Sequence, residues 1–184
     1  MTADVERVLF VCTGNICRSP YLELRLRAGL ARLGRQDILT ASAGLQALVG
    51  HPVSRPLAKR LQTVNIDAAR HRARQLVQAH VEQADLILTA TRNQRRMVSQ
   101  LLPEAADRVF TAAQFVRLLE VTEPRSTLSV RDQVVIANGA RGNAGSSTAE
   151  DDILDPWRRS RRAYVRAGTL MDEVSDQLVR HLIA

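Results

Sequence analysis

The chain is poor in several residue types that mark common functional classes. Phe, Trp and Tyr make up only 3% of its 184 residues, and lysine occurs once, as Lys59. The two cysteines, Cys12 and Cys17, are too few and too close together for a structural disulfide framework. The four histidines are scattered, so no zinc-site spacing is present and we expect no metal. No apolar run could span a bilayer and no leader pattern precedes the first one, so we expect a cytoplasmic protein without membrane insertion.

The positive charge of the chain suggests a nucleic acid partner, but its distribution argues against one. Lys and Arg total 26 against 19 Asp and Glu, which gives a net charge of +7. The arginines are spread along the chain, and aromatic residues that could stack on bases are scarce. We therefore expect no nucleic acid partner. The densest basic piece, residues 158–162, is predicted to be a solvated helix face; the alternative is that it attracts acidic or phosphorylated protein substrates.

An anion-binding loop near the beginning of the chain is its most informative feature. The apolar residues 8–11 predict a strand, and the sequence CTGNICRSP follows at residues 12–20. N–H groups of a loop that runs into a helix N-terminus converge on one point, where the helix dipole adds positive potential. That field favours the thiolate of Cys12, while Arg18 offers a planar fork to two phosphate oxygens and Ser19 places a hydroxyl near the sulfur. The segment lacks the Gly-Lys-Ser/Thr ending of a nucleotide P-loop. It predicts a thiolate nucleophile at the base of a phosphate site.

Alternating patterns along the chain predict an α/β fold. Strand-length apolar runs occur at residues 8–11, 38–41, 86–88 and 109–110, with helical periodicity between them. Ser54 is predicted to cap one helix, Thr91 and Gln94 have capping-box spacing at the start of another, and a last helix covers residues 164–182. This alternation implies parallel strands with right-handed crossovers, and hence a three-layer sandwich. Ligands of such sheets bind beyond the carboxyl ends of the strands, where the loop at Cys12 begins.

The length of the chain suits one domain over residues 1–184. The stretch from about 121 to 150 breaks the alternation, because an apolar patch at 134–136 is followed by the Gly- and Ser-rich residues 138–147. This composition predicts a flexible insertion. An inert surface insertion is favoured over a mobile lid or a partner-contact loop.

Residues 11–20 resemble the signature of the low-molecular-weight protein tyrosine phosphatases. Three further motifs follow in the order of that family: Ser42-Ala43-Gly44, His71 within HRARQL, and Asp155-Pro156. The resemblance covers most of the chain apart from about 120–150, and it implies a bacterial member with a four-stranded, parallel, Rossmann-like sheet flanked by helices. It also implies hydrolysis of phosphotyrosine through a cysteinyl-phosphate intermediate without a cofactor. The implied partners are phosphotyrosine proteins, among them a bacterial tyrosine kinase.

The resemblance implies a catalytic role for three residues, with Cys12 as nucleophile, Arg18 as phosphate ligand and Asp155 as general acid and base. It places the rest of the phosphate contacts on the loop, from Thr13, Gly14, Asn15, Ile16 and Cys17. Asn15, a residue type that tolerates a left-handed backbone, would also hold the loop open through hydrogen bonds with Ser19, Ser42 and His71. Leu48 and Trp157 would form the walls of the substrate site, Trp157 standing where many members carry tyrosine.

The role of Cys17 and two other functions stay open at this stage. Cys17 is either a packed thiol or, as the family implies, the partner of Cys12 in a reversible disulfide. An arsenate reductase uses a similar loop, but no cysteine follows Cys17 to relay electrons, so only a reductase with an external thiol remains an alternative. The other alternative is a non-catalytic phosphoprotein-binding module, which would have no need of Cys12, Arg18 and Asp155 together.

Overall fold

The computed structural model describes residues 5–121, 128–142 and 148–183. Within these residues the strands are Glu6–Cys12 (β1), Ile38–Gly44 (β2), Leu86–Thr89 (β3) and Val109–Thr111 (β4). The α-helices are Arg18–Arg32 (α1), Arg55–Gln62 (α2), Gln78–Glu82 (α3), Arg92–Leu101 (α4), Ala112–Glu120 (α5), Val130–Ala140 (α6) and Arg161–Ile183 (α7). All four predicted strands are confirmed, each extended beyond its apolar run. The predicted capping box is also present, since Thr91 and Gln94 close the first turn of α4.

The four strands form one parallel sheet in the order β2-β1-β3-β4. Val8 and Phe10 face a core built with α1, α2, α5, α6 and α7, whereas Leu9 and Val11 face a smaller core built with α3 and α4. Because helices cover both faces, the strands are apolar almost throughout, as expected for a parallel sheet. The three-layer α/β sandwich is therefore confirmed. None of the described helices combines the length and the apolar character needed to cross a bilayer.

The segment at 121–150 contains a packed helix, which the prediction of a flexible insertion missed. Helix α6 buries Val130, Val134, Ala137 and Ala140 in the larger core, with the spacing of one helical face. The Asn and Gly residues at the end of α6 masked this periodicity. Residues 122–127 lie outside the described residues, and so do residues 143–147, which are half of the Gly- and Ser-rich piece.

Side chains at both ends attach α6 to the sheet. At its beginning the buried carboxylate of Glu6 accepts hydrogen bonds from the N–H groups of Val130 at 2.9 Å and Arg131 at 3.0 Å. Beyond its end Arg141 stacks 3.9 Å over the Phe110 ring and donates to the Val109 carbonyl at 2.7 Å. Burial lowers the pKa of Arg141 to about 10, so this cation stays protonated at neutral pH.

We expect Glu6→Gln to destabilise the protein by about 1–3 kcal/mol, because an amide offers one acceptor oxygen where the buried N–H of Val130 and the part-buried N–H of Arg131 each need one. Urea denaturation followed by circular dichroism measures the change. Glu173→Gln on the exposed side of α7 is the matched control, with an expected change below about 0.5 kcal/mol. Equal stability of the two variants would show that the Glu6 bonds contribute nothing.

Candidate active site

The loop between β1 and α1 presents free backbone donors around a cysteine. Cys12 ends β1 and Arg18 begins α1, and the Sγ atom of Cys12 lies 3.0 Å from Oγ of Ser19. None of the N–H groups from 13 to 17 donates a hydrogen bond to another described residue. Asn15 has a φ of 54°, the left-handed conformation anticipated for it. The loop can therefore offer several N–H donors to one anion.

Asn15 is the centre of the hydrogen bonds that hold this loop. Its buried side chain donates from Nδ2 to the hydroxyls of Ser19 and Ser42, both at 2.9 Å, and accepts the N–H of Arg74 on Oδ1 at 2.9 Å. The His71 Nε2 donates to the Asn15 carbonyl at 2.8 Å. The structure thus brings the three supporting residues Ser19, Ser42 and His71 onto Asn15.

Several contacts of the loop were not found from the sequence. The Ser42 hydroxyl donates to the buried carboxylate of Glu23 at 2.6 Å, and Gln94 donates from Nε2 to the Thr13 hydroxyl at 3.0 Å. Glu23 lies four residues after Ser19 on α1, so helical spacing could have placed it on the same face. Gly44 is needed where β2 ends, because a Cβ there would lie 2.5 Å from the Thr13 carbonyl oxygen.

Arg18 joins the loop to the predicted acid. Its buried side chain donates from Nη2 to Asp155 at 2.7 Å and from Nη1 to the Ile153 carbonyl at 3.1 Å. The Nε of Arg18 is buried and has no hydrogen-bond partner among the described residues. A buried donor without a partner is costly, so this N–H is a candidate contact for a bound anion.

Two more arginines fix the segment that precedes Asp155. Arg92 pairs with Asp152 at 3.1 Å, and its backbone N–H donates to the same carboxylate at 2.7 Å. Arg117 pairs with the buried Asp151 at 3.1 Å. These pairs belong to α4 and α5, so both helices help to set the position of Asp155.

A pocket of about 160 Å³ is lined by the predicted catalytic residues, the predicted wall residues and every predicted phosphate contact except Asn15. Its lining consists of Cys12, Thr13, Gly14, Ile16, Cys17, Arg18, Gln46, Leu48, Asp155 and Trp157. Leu48 is 38% exposed and Trp157 is 40% exposed, and both contribute apolar surface to the lining. Gln46, from the segment that follows β2, completes the lining. No cluster of three or more His, Cys, Asp or Glu side chains suited to a metal occurs among the described residues.

Cys17 is a packed thiol in this structure. Its Sγ donates to the Ser54 hydroxyl at 3.3 Å, and burial raises the pKa of Cys17 to about 11. Ser54 does precede α2, but its side chain makes no capping bond. The predicted side-chain cap at Ser54 is therefore wrong, because the Ser54 hydroxyl bonds to the Cys17 thiol and not to the backbone of α2. Both cysteines are free.

The sheet and the loop define a class of α/β proteins with a cysteine at a phosphate-type site. The family model for low molecular weight phosphotyrosine protein phosphatase matches residues 7–134, which end before Asp155. The chain belongs to this family.

Among curated relatives, a protein-arginine-phosphatase from Geobacillus stearothermophilus is 38% identical over 110 residues, covering 60% of this chain and 71% of the relative. A probable low molecular weight protein-tyrosine-phosphatase, EpsP, from Ralstonia solanacearum is 36% identical over 106 residues, covering 58% and 70%. Among solved structures, the low molecular weight protein tyrosine phosphatase from T. tengcongensis matches with a TM-score of 0.72 and 30% identity. That match covers 95% of this chain and 98% of the other.

The two cysteines should react differently with iodoacetate. With its pKa raised to about 11, Cys17 stays protonated at pH 7, so we expect no carboxymethyl group on it. Labelling of Cys17 should rise as the pH approaches 11, while inorganic phosphate should protect Cys12. Peptide mass spectrometry distinguishes the two sites. Labelling of Cys17 ahead of Cys12 at pH 7 would contradict this assignment.

Proposed function

We propose that the protein hydrolyses phosphotyrosine in protein substrates through a cysteinyl-phosphate intermediate. The observation that carries the proposal is the convergence of Cys12, Arg18 and Asp155 on one small pocket. Arg18 and Asp155 are 137 positions apart in the sequence and 2.7 Å apart in the fold. A module that only binds phosphoproteins would have no use for a carboxylic acid at this place.

In the first step the Cys12 thiolate attacks phosphorus and the bond from phosphorus to the tyrosine oxygen breaks. The free loop N–H groups and Nε of Arg18 are placed to hold the three non-bridging oxygens as charge shifts onto them. A tyrosine phenolate, with a pKa of about 10 for its phenol, leaves poorly without a proton. Asp155 supplies that proton to the leaving oxygen.

In the second step water hydrolyses the cysteinyl phosphate. The Asp155 carboxylate takes a proton from the water, the water oxygen attacks phosphorus, and the bond between sulfur and phosphorus breaks. The Ser19 hydroxyl receives a hydrogen bond from Asn15 and can point its own proton at the departing sulfur, 3.0 Å away. This hydrogen bond stabilises the thiolate that is released with inorganic phosphate.

The ion pair between Arg18 and Asp155 links substrate binding to the acid. In the free site the Asp155 carboxylate contacts Nη2 of Arg18 at 2.7 Å. A bound phosphoryl group competes for the same guanidinium, which frees the Asp155 side chain to turn toward the leaving oxygen. Substrate binding therefore helps to position the acid.

The apolar walls support an aromatic leaving group. Leu48 and Trp157 leave large apolar surfaces partly exposed beside a polar floor, which suits a phenyl ring above a phosphate. The substrates are phosphotyrosine proteins, and a bacterial tyrosine kinase is one candidate among them.

Two substitutions test the mechanism with aryl phosphates. Cys12→Ser should reduce turnover to background while phosphate still binds, and mass spectrometry of the quenched wild-type enzyme should find a phosphoryl group on Cys12. Asp155→Asn should lower kcat by about 10²- to 10⁴-fold for phenyl phosphate, and by less for p-nitrophenyl phosphate, whose leaving group needs less protonation. Asp107→Asn, an exposed change, is the control. Full activity of Cys12→Ser would refute the mechanism.

Phosphoarginine is a second candidate substrate, favoured by the similarity to a protein-arginine-phosphatase. A planar guanidinium can stack on Trp157 and pair with Asp155, so the same pocket could accept it.

Matched phosphotyrosine and phosphoarginine peptides decide between the two substrates. We expect a higher kcat/KM for phosphotyrosine, and Trp157→Ala should lower it roughly two- to tenfold through loss of the aromatic contact. Val49→Ala, at an exposed residue that does not line the pocket, is the control. A higher kcat/KM for phosphoarginine would overturn the tyrosine assignment and leave the thiolate mechanism standing.

A further inference from the structure

A strongly cationic concavity lies between α2 and the beginning of α7. It has a volume of about 850 Å³, and we call it the cationic groove. Five of its lining residues carry positive charge: Arg55, Lys59, Arg60, Arg159 and Arg161. None of the described residues in the lining is acidic. The groove also includes two residues of the basic piece at 158–162 that the sequence analysis singled out.

Most of these charges are not used inside the fold. Arg60 pairs with Asp172 at 2.7 Å. The other four cations are exposed, and none makes an ion pair with a described residue. Exposed cations without partners generate positive potential in solution, and the concave shape of the groove strengthens it.

Two of the groove cations lie at helix N-termini, where a positive charge does not stabilise the helix. Arg161 begins α7 and Arg55 begins α2, and neither helix has an acidic residue in its first turn. Cations at a helix N-terminus oppose the helix dipole, so these residues bring no local stability. Their positions are consistent with binding an anion from outside the chain.

The cationic groove lies beside the active-site pocket. Trp157 lines the pocket and Arg159, two residues further along the chain, lines the groove. On the other side, the N–H of Ser54 donates at 2.7 Å to the carbonyl of Ile16, a pocket residue, and Arg55 follows directly. An extended peptide advances about 3.3 Å per residue, so a few residues carry a substrate from the pocket into the groove.

We propose that the cationic groove binds an acidic stretch of the substrate chain beside the phosphotyrosine. The inference rests on the proposed function and adds to it a class of preferred substrate. Asp and Glu side chains complement the four exposed cations. Among the described lining residues Tyr164 is the only aromatic one, which is a poor surface for stacked bases. The chemistry of the groove therefore favours an acidic peptide over a nucleic acid.

Two phosphotyrosine peptides test the proposal, one with four flanking glutamates and one with glutamines in their place. At low salt we expect kcat/KM of the wild-type enzyme to be roughly three- to tenfold higher for the glutamate peptide, and the difference to shrink as salt is added. Lys59→Gln combined with Arg159→Gln should abolish this preference. Hydrolysis of p-nitrophenyl phosphate, which has no flanking residues, should stay within about twofold of wild type.

A second double variant is the control, because it also removes two positive charges but not from the cationic groove. Arg96→Gln with Arg180→Gln changes exposed residues of α4 and of the far end of α7. Arg180 lies 19 positions beyond Arg161, about 28 Å along the helix. This control should keep the preference for the glutamate peptide.

Three outcomes would overturn the groove assignment: equal kcat/KM for the two peptides in the wild type, equal loss in both double variants, or an oligonucleotide that binds while flanking glutamates have no effect. The groove assignment would also be contradicted if Lys59→Gln with Arg159→Gln lowered the thermal stability of the protein but kept the preference for the glutamate peptide. Failure of the proposed function looks different, because the glutamine peptide and p-nitrophenyl phosphate would then not be hydrolysed at all.

Discussion

The hydrogen bonds of the buried Asn15 side chain are the constraint on which the site depends. The loop after β1 turns its N–H groups toward the pocket, where none of those at 13–17 has a partner among the described residues. Unpaired donors and a left-handed residue both cost free energy. Asn15 compensates with four hydrogen bonds, two of them to Ser19 and Ser42. The anion site is thus preformed, because its support is made by groups behind it and not by the anion.

The segment that carries Asp155 is held beside this loop by contacts of a different kind. Asp155 belongs to no helix or strand, and three arginines hold its segment: Arg18 at Ile153 and Asp155, Arg92 at Asp152, and Arg117 at Asp151. Each contact joins a planar guanidinium to oxygen atoms, which sets direction as well as distance. The loop is ordered mainly by hydrogen bonds of the Asn15 amide, whereas the acid segment is ordered mainly by ion pairs of arginine.

The features that could be predicted from the sequence are those encoded by a short stretch of neighbouring residues. The four strands, the site loop and the capping box at Thr91 are each encoded within a few neighbouring residues, and all are found. Helix α6 was missed because the Asn and Gly residues at its end masked its periodicity, although Ser129 and Asp132 form a capping box at its start. The contacts of Gln94 and Arg74 with the loop were missed because only the fold brings these residues there. The Ser54 cap failed because a long-range bond with Cys17 outcompeted the local one.

Arginine has two roles in this molecule, one buried in the active-site pocket and one exposed at the cationic groove. The Arg18 side chain is only 4% exposed, and its fixed guanidinium makes directed, charge-assisted hydrogen bonds that mobile ions screen weakly. Arg159 and Arg161 are exposed at the cationic groove, where water and salt weaken each charge. Buried arginine can therefore act on one bond of one phosphate group, while the exposed cations act together on a stretch of chain. Ionic strength separates the two contributions, because it changes the selection of the substrate and leaves the chemistry within the pocket largely intact.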